Sequence, residues 1–568
     1  MMFIEDLRKI INTGQARVIV LTGNIYDLFR VGDDYAPLLE LLSQRFAVEP
    51  KGKFKGITQL ICKLNNPIEI RGDRTEAIRL WSRINDDTEK GLLERFKESN
   101  RNATYALELL RQVTEVYRRS SKSENNLLIA IEAADLLIPE CEINRMSIAD
   151  RQRVAIVHDW FSDPDFINGG DTVILLAESR SQIHHRISRL PQVVSVEIPL
   201  PNQQERRVFI DWQQALCPFN SESGLAVLSE LTAGLSIHAI RQLLKSGEVS
   251  RSNVSTKVEE YMTSQLGEGV VEFTRPDHGF DEVIGFSRTK DFMQSELIPA
   301  FLDGDISGAA VSGPIGSGKT FICEAAAAEI GIPVIVLKNI RSKWYGETDQ
   351  IFERLKRLLE SFHRIMIFVD EADAQFGAID DGHATERRLT GKIQAMMSDP
   401  RLKGKVIWLL MTARIHRLSP DIRRPGRMDL IIPILDPEGD DRKGFLSWCL
   451  GDFAEAFDED QKTALDEITE GYSAAAFAGL KKQIKIKKPK DPQALFDIIN
   501  DMVLPNIGKT REYQKLQAQL NCTRKSLIFT PEAVDNMSRP GKDSSQSYEQ
   551  IRDGWRQELK ALEREGFE

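Results

Sequence analysis

The chain has 568 residues, of which 41% are hydrophobic and 28% charged, a composition typical of a globular protein with several domains rather than of a disordered one. The formal net charge of −10 argues against a general grip on nucleic acid or an anionic membrane, although a local basic patch could still serve either. The six cysteines form no C-x-x-C pair and no apolar run reaches membrane-spanning length. We therefore expect a cytoplasmic protein without a zinc site, a disulfide framework or a membrane span.

The beginning of the chain predicts an α/β domain that lacks a phosphate-binding loop. An amphipathic helix start at 1–11 precedes a buried-strand pattern at 17–24, and helical sequence restarts at 36–43. A phosphate loop would follow this strand, yet no Gly-Lys-Thr occurs there. A second apolar run at 57–62 is followed by polar helical sequence at 74–119, whose charges predict a solvated face.

From residue 126 onward the chain resembles its own second half. Three segments match in the same order and at nearly the same separations: 127–135 with 365–373, 173–179 with 406–413, and 231–236 with 468–473. Such ordered matching is the signature of an internal duplication. We predict two copies of one module, the first at 1–250, with a linker at 251–279 that is rich in Ser, Thr, Glu and Gly.

The two predicted modules differ where chemistry would take place. The first has no loop lysine, and Ala133 stands where the second has Glu371. A module without these groups can keep its shape but should not hydrolyse a nucleotide, and the sequence leaves open whether it binds one. Assembly and partner docking are its expected roles.

The second module contains a complete phosphate-binding motif, G-x-x-x-x-G-K-[ST]. A strand pattern at 306–311 precedes it and an alanine-rich helix at 321–328 follows, which is the context that the motif requires. Lys319 is predicted to reach the β- and γ-phosphates, and the Thr320 hydroxyl to hold Mg²⁺, so ATP and Mg²⁺ are the expected ligands. The alternative is a glycine-rich turn with an accidental lysine. The loop reads Gly313-Pro314-Ile315-Gly316-Ser317-Gly318-Lys319-Thr320.

Two carboxylates follow the apolar run at 365–369, as expected for a central parallel strand that delivers acids to the ligand-binding edge of a sheet. Asp370 is predicted to complete the Mg²⁺ site with Thr320, and Glu371 to orient and polarise the attacking water. A solvated acidic turn is the alternative reading.

With these motifs in place, the stretch from Phe280 to about Lys482 resembles the AAA family of ATPases. The resemblance rests also on Phe280-Asp281-Glu282-Val283-Ile284-Gly285, which is similar to the family's opening segment, and on Arg423-Arg424-Pro425-Gly426-Arg427-Met428-Asp429. It implies that the backbone at Ile284 and Gly285 cups the adenine. It also implies that Arg424 and Arg427 are arginine fingers for the nucleotide of a neighbouring subunit, with surface arginines on a loop as the alternative.

The resemblance further implies the architecture and the assembly. It predicts two tandem P-loop AAA modules, each with a parallel sheet flanked by helices and a small helical lid. It places the catalytic large domain at 280–437, the lid at 438–505 and a helical extension at 506–568. Gly471 opens the segment that resembles the start of the lid, which closes over the nucleotide. Because arginine fingers act between subunits, the expected assembly is a homo-oligomeric ring, usually of six.

One departure from the family pattern concerns the strand before the arginine segment. The family usually has Thr-Asn there, and the asparagine helps to position the attacking water, whereas this chain has Thr412 and Ala413. Hydrolysis should then be slow, unless Thr412 or another polar group substitutes.

The segment at 341–349 resembles the first pore loop of AAA rings related to katanin and to the FtsH-type proteases. In such rings aromatic side chains grip an extended polypeptide by area and shape. The alternative is that Trp344 packs beneath the loop. The predicted substrate-contacting residues are Lys343, Trp344, Tyr345 and Gly346, with a weaker match to a second pore loop at 380–383.

Two further features bear on function. His184 and His185 have no recognisable companion ligands in the sequence, and the absence of H-E-x-x-H excludes the zinc protease domain of the FtsH type.

The combined interpretation is an ATP-dependent ring that remodels, unfolds or disassembles a protein substrate. A nucleotide-dependent scaffold with incidental hydrolysis is the main alternative, and a nucleic-acid motor ranks third because of the acidic balance.

Overall fold

The computed structural model describes residues 2–567 except 47–55, 73, 86–90, 121–122, 124, 268–270, 275, 277, 339–347, 377–383, 452–456, 490–491, 504, 531–532 and 535–546. The chain divides into two compact units, Met1–Met262 with Gly346–Ser361, and Thr263–Tyr345 with Phe362–Glu568. Across the described ranges, every helix is too short or too polar to cross a membrane.

The first unit is built on a six-stranded sheet. Its strands are β1 (Val18–Gly23), β2 (Leu28–Val31), β3 (Asp34–Pro37), β4 (Gly56–Cys62), β5 (Glu69–Arg71), β6 (Asn125–Ile131), β7 (Thr172–Leu176), β8 (Val193–Ile198), β9 (Asn220–Ser221) and β10 (Glu248–Val249). The sheet order is β5-β4-β6-β7-β1-β8, and all neighbours are parallel except β5, which pairs antiparallel with β4 at the edge. The remaining four strands form two short separate pairs, β2 with β3 and β9 with β10.

The second unit repeats this arrangement. Its strands are β11 (Val271–Thr274), β12 (Gly308–Ser312), β13 (Val334–Leu337), β14 (Ile365–Val369), β15 (Val406–Thr412) and β16 (Leu430–Pro433). They lie in the order β11-β13-β14-β15-β12-β16, again parallel except for β11 at the edge. The two sheets match strand for strand, with β6, β7, β1 and β8 corresponding to β14, β15, β12 and β16. The predicted duplication and α/β fold class are confirmed.

Helices pack on the sheets and form the lids. The helices before β11 are α1 (Met2–Thr13), α2 (Leu38–Phe46), α3 (Arg74–Asn85), α4 (Gly91–Glu98), α5 (Ala103–Arg119), α6 (Ala134–Leu137), α7 (Ile148–Ser162), α8 (Pro164–Ile167), α9 (His185–Ser188), α10 (Gln203–Leu216), α11 (Leu225–Leu231), α12 (Ile237–Leu244) and α13 (Arg251–Leu266). The later helices are α14 (Ser287–Phe292), α15 (Ile298–Asp303), α16 (Lys319–Ile330), α17 (Thr348–Ser361), α18 (Ala372–Phe376), α19 (Ala384–Met397), α20 (Asp440–Leu450), α21 (Glu459–Ile468), α22 (Ala474–Lys487), α23 (Pro492–Asp501), α24 (Gly508–Asn521) and α25 (Tyr548–Arg564). The segment 346–361, which contains α17, groups with the first unit.

The core of the first unit lies on both faces of its sheet. Alternate residues of β1 point to opposite sides, so that Val18 and Val20 pack with α5 and α7, whereas Ile19 and Leu21 pack with α1 and α2. Strands buried on both faces read as continuous apolar runs, which explains why the sequence pattern identified them.

The second unit has a core that continues into its lid. Val311 of β12 and Ile322 of α16 belong to one buried cluster with Phe445 of α20 and Phe477 of α22, whose rings stack with centroids 5.3 Å apart. The polar helix α24 lies outside this cluster and packs through Leu516 against α25. Packing thus fixes the lid against the edge of the sheet where the phosphate loop begins.

Candidate nucleotide site

The phosphate loop connects the end of β12 to the start of α16, as the motif predicts. A Cβ atom at Gly313 would lie 1.9 Å from the carbonyl oxygen of Ile434, so only glycine fits between β12 and β16 there. Gly316 has φ +79°, a left-handed conformation that glycine adopts without strain. The glycines therefore shape a loop that no bulkier sequence would form.

The Lys319 side chain lies over the loop. Its ammonium group donates hydrogen bonds to the carbonyl oxygens of Gly313 at 3.0 Å and Pro314 at 2.9 Å. Burial lowers the pKa of Lys319, while the nearby carboxylates, Asp370 first among them, act in the opposite direction. A lysine held by neutral carbonyls is poised to exchange these partners for phosphate oxygens.

A cavity of about 760 Å³ opens beside the loop, large enough for a nucleotide. Residues of the sheet edge, the phosphate loop, the lid and α24 surround it. The structure brings these predicted site residues together at its wall: Ile284, Ile315, Gly316, Gly318, Lys319, Thr320, Asp370 and Glu371.

The two predicted catalytic carboxylates lie at the C-terminal end of β14. The Thr320 hydroxyl is 3.5 Å from Asp370 Oδ2, and the Glu371 backbone N–H donates to Asp370 Oδ1 at 2.8 Å. Glu371 has φ +47°, a strained conformation for a residue with a side chain, and such strain concentrates at functional sites. A hydroxyl beside a carboxylate is a set of hard oxygen donors that fits Mg²⁺.

The other predicted binding residues support the walls of the cavity. Ser317 is fully buried, and Pro314 accepts from both Ser317 N and Lys319 Nζ. A Cβ atom at Gly285 would lie 2.9 Å from the Phe445 ring, while Gly471 at φ +77° precedes the lid helix α22. The nucleotide contacts expected of these residues stay predictions.

Arg424 and Arg427 differ in their surroundings. The Arg424 side chain is 72% exposed and pairs with Asp421 at 3.1 Å. Arg427 Nε donates to Ser398 Oγ at 2.7 Å, and its Nη1 donates to the Asp421 carbonyl at 2.8 Å. Arg424 is thus free to reach outward, whereas Arg427 is engaged within its own chain. Their finger role stays a prediction.

The predicted pore loop, Lys343 to Gly346, lies outside the described residues, as does the weaker second pore-loop match at 380–383. Strand β13 ends at Leu337, before the predicted pore loop, and helix α17 begins at Thr348, after it.

Thr412 lies at the end of β15, where its hydroxyl forms hydrogen bonds within the chain. Its hydroxyl donates to Asp373 Oδ1 at 2.6 Å and accepts from the Arg414 backbone N–H at 2.9 Å. Since a threonine hydroxyl has only one proton, Thr412 has no donor left for a ligand in this arrangement. Ala413 lines the cavity with a methyl group.

Several cavity residues were not predicted from the sequence. Phe286, Phe445 and Trp448 form an aromatic wall, with ring centroids of successive pairs 5.8 and 6.2 Å apart. Aromatic faces near Ile284, which the family resemblance assigns to adenine, can stack on a base. Gln514 of α24 also lines the cavity, although about 200 residues of chain separate it from the phosphate loop.

At the corresponding edge of the first unit, a buried carboxylate accepts hydrogen bonds from the start of helix α12. Asp27 is 3% exposed, and its two oxygens accept from the backbone N–H groups of Ile237 at 2.9 Å and His238 at 2.8 Å, at the start of α12. In the second unit the equivalent helix α22 donates Ala475 N–H to the Gly316 carbonyl. A buried side-chain anion thus stands where the second unit uses its phosphate loop.

The acidic turn of the first unit retains the backbone of the catalytic one. Ala133 has φ +51°, close to the +47° of Glu371. The sequence match between these two positions is therefore a structural match as well. The backbone conformation is preserved at this position but the carboxylate is not.

His184 and His185 lie beside Glu140, and one ligand atom from each residue falls within 4.8 Å of the others. The imidazole rings are stacked with centroids 4.4 Å apart and 25° between their planes. His184 Nδ1 accepts from the Arg186 N–H at 3.3 Å, and His185 Nδ1 lies 3.1 Å from Glu140 Oε1. The pair thus has a third member, Glu140, that the sequence did not suggest, and within the described chain two of the ring nitrogens already have hydrogen-bond partners.

Comparisons with known families match both units. Residues 2–199 match the family model described as "AAA+ chaperone, N-terminal Rossmann-like domain", and residues 309–435 match "ATPase family associated with various cellular activities (AAA)". The first match covers the six-stranded sheet of the first unit, and the second covers that of the second unit except for the edge strand β11.

Curated relatives agree with these families. A "Cell division cycle protein 48 homolog" of Archaeoglobus fulgidus is 24% identical over 90% of this chain and 71% of its own length. "Protein SAV" of Sulfolobus acidocaldarius is 34% identical over 31% of this chain, and the human "ATPase family gene 2 protein homolog A" 32% identical over 32%. The chain spans only 23% and 21% of the lengths of these last two relatives.

Proposed function

Because the chain belongs to the AAA ATPase family, with an AAA+ chaperone N-terminal domain ahead of an AAA ATPase domain, we propose that it is an ATP-dependent motor that remodels a protein substrate. The observation that carries the proposal is the convergence of the phosphate loop, Asp370 and Glu371 on one nucleotide-sized cavity. The match of residues 2–199 to an AAA+ chaperone N-terminal domain supports a role in protein remodelling.

In the proposed site, Lys319 neutralises charge on the phosphates and Glu371 orients the attacking water. Thr320 and Asp370 would hold Mg²⁺, which supplies charge neutralisation for the phosphoryl group when bound. The hydrogen bond of 2.8 Å from the Glu371 N–H to Asp370 stabilises the strained turn. The conformation of this turn sets the direction in which the Glu371 side chain leaves the backbone.

The proposed assembly is a homo-oligomeric ring, six-membered in the family pattern, in the cytoplasm. Arg424 would act on the neighbouring subunit's nucleotide, and its 72% exposure leaves it able to do so. Trp344 and Tyr345 would grip an extended polypeptide in the channel. The domain boundaries proposed from the sequence, with a large domain at 280–437 and a lid at 438–505, complete this arrangement.

A nucleotide-dependent scaffold is the second candidate, and two observations favour it. Ala413 offers no polar side-chain group at the strand end, and in the first unit the Asp27 carboxylate accepts hydrogen bonds from the helix start where the second unit has its phosphate loop. In such a protein ATP binding would organise the assembly and hydrolysis would be incidental.

The deciding experiment compares wild type with Glu371→Gln and with the double variant Trp344→Ala/Tyr345→Ala. ATP turnover, mass photometry with and without ATP, and unfolding of a fluorescent model protein with an unstructured tail are measured together. The motor predicts ATP-dependent rings, loss of turnover in Glu371→Gln, and loss of unfolding with retained turnover in the double variant. Rings that never unfold the model protein and turn over equally in Glu371→Gln would instead indicate a scaffold.

A further inference from the structure

The C-terminal helix α24 reaches the phosphate loop through a buried glutamine. The Ile315 backbone N–H donates to Gln514 Oε1 at 2.9 Å, and Gln514 is fully buried, with 0% of its surface exposed. Ile315 is the third residue of the eight-residue motif and lines the cavity together with Gln514. A residue from the extension is therefore part of the nucleotide site.

The contact determines the orientation of the amide. Because Ile315 N–H is a donor, the Gln514 atom facing it must be the carbonyl oxygen, and the amide nitrogen points elsewhere. Within the described part of the chain, Gln514 Nε2 is buried and has no hydrogen-bond partner. A buried N–H group without an acceptor destabilises the structure, so a ligand that accepts this hydrogen bond would recover the lost free energy.

Contacts on either side of Gln514 hold α24 in place. Arg511 pairs with Asp436 just beyond β16, and Lys515 pairs with Glu438 at 2.7 Å. The Tyr513 ring packs edge to face against His416 at 5.3 Å. With one turn of α24 anchored by three neighbours, the amide of Gln514 is presented by a rigid element instead of a loop.

On the strand side the described residues that line the cavity, Thr412, Ala413 and Arg414, include no side-chain amide. The Thr412 hydroxyl is committed to Asp373, and Ala413 has no polar atom in its side chain. Gln514, Ala413, Asp370 and Glu371 all line the same cavity. The amide thus lies on the same cavity as the two carboxylates that the phosphoryl transfer would use.

We propose that Gln514 is a catalytic residue of the ATP site, whose Oε1 fixes the phosphate loop at Ile315 and whose Nε2–H donates to the terminal phosphate of ATP. It supplies from the C-terminal helix the amide that is missing at position 413. The donor stabilises negative charge on the phosphoryl oxygens during transfer, in the manner of other preorganised N–H groups. ADP has no terminal phosphate in this position and does not use the donor.

The test compares Gln514→Leu and Gln514→Glu with wild type in the full-length protein. Steady-state turnover, the Kd values of a non-hydrolysable ATP analogue and of ADP, and the Tm are measured for each. Gln514→Leu should lower kcat by about 100-fold, weaken the ATP analogue more than ADP, and leave the ADP Kd within about twofold of wild type.

Gln514→Glu separates the two roles of the side chain. It keeps an oxygen for the Ile315 N–H but replaces the donor by a negative charge, so it should weaken the ATP analogue further than Gln514→Leu does while the ADP Kd stays near wild type. If either folded variant keeps wild-type kcat, or loses ADP and ATP affinity equally, Gln514 acts only on the loop and the proposal is wrong.

A second-site variant gives an independent check. Ala413→Asn, which adds an amide to the strand side of the same cavity, should restore turnover at least tenfold in the Gln514→Leu background. A folded double variant with no recovery would overturn the claim that Gln514 replaces a strand-end amide.

Discussion

The Thr320 hydroxyl lies 3.5 Å from the Asp370 carboxylate, although 50 residues separate them in the chain. Both oxygens face the cavity at the start of α16 and the end of β14. The pair is spaced so that one small cation could bind between a hydroxyl and a carboxylate, the donor types that Mg²⁺ prefers.

We expect Asp370→Asn to weaken Mg²⁺-dependent turnover more than it weakens nucleotide binding without metal. Replacing the carboxylate with an amide removes the charge that attracts the ion but keeps the shape of the turn. Turnover should fall by at least about 100-fold and recover in part at high Mg²⁺. The measurement is a Mg²⁺ titration of ATP turnover, with the exposed Asp460→Asn as a control in the lid. An unchanged Mg²⁺ midpoint would contradict this assignment.

Asp27 predicts a stability effect in the first unit. Its carboxylate accepts four hydrogen bonds, from Asn24, Leu28, Ile237 and His238, and burial raises its pKa despite them. Asp27→Ala leaves the two N–H groups at the start of α12 without this acceptor, which should cost about 2–3 kcal/mol.

Hydrogen exchange provides a local test of the Asp27 prediction. The amides of Ile237 and His238 should lose protection in Asp27→Ala, while the exposed control Asp33→Ala should not change them. ATP turnover should stay near wild type in both variants, because Asp27 belongs to the first unit and the catalytic groups to the second. Unaltered protection at α12 would show that the carboxylate does not hold this helix.

The sequence could predict the features that have a repeated or periodic signal. The apolar run 365–369 became β14, and the motif at 313–320 became the loop between β12 and α16, because buried parallel strands and glycine loops leave local patterns. The match of Ala133 with Glu371 extended even to their backbone conformation. Such features are encoded within a few neighbouring residues.

Contacts between distant segments could not be predicted in this way. Gln514 lies in a polar helix, where a glutamine has no periodic or motif signal, and only the packing of α24 on β16 and the loop brings it to Ile315. Asp27 likewise resembles an ordinary turn residue until α12 is placed over it. By residue type Thr412 could substitute for the missing asparagine, and only the folded structure shows that Asp373 engages its hydroxyl.

The lowered pKa of Lys319 predicts proton uptake on nucleotide binding. Burial lowers this pKa in the empty site, whereas phosphate oxygens favour the charged ammonium and should raise it again. As the pH rises toward the ordinary lysine pKa of about 10.4, a growing fraction of empty sites must gain a proton to bind, so ATP affinity should fall.

Calorimetry in buffers of different ionisation enthalpy measures this uptake. It should increase as the pH rises toward the ordinary lysine pKa, a range in which ATP itself no longer titrates. Lys319→Met should bind weakly with no pH-dependent uptake over this range. Uptake that persists unchanged in Lys319→Met would assign the proton to another group.

Arg424 and Arg427 should separate stability from activity. Arg424 forms only an exposed pair with Asp421, and such pairs contribute little to stability, so Arg424→Ala should leave the Tm nearly unchanged while turnover falls at least about 100-fold. Arg427→Ala removes contacts to Ser398 and the Asp421 carbonyl and should lower the Tm as well. Mixing Arg424→Ala with Glu371→Gln subunits should restore some turnover, because a mixed interface pairs an intact finger with an intact Glu371. Arg424→Ala rings with wild-type turnover would exclude a finger role for this residue.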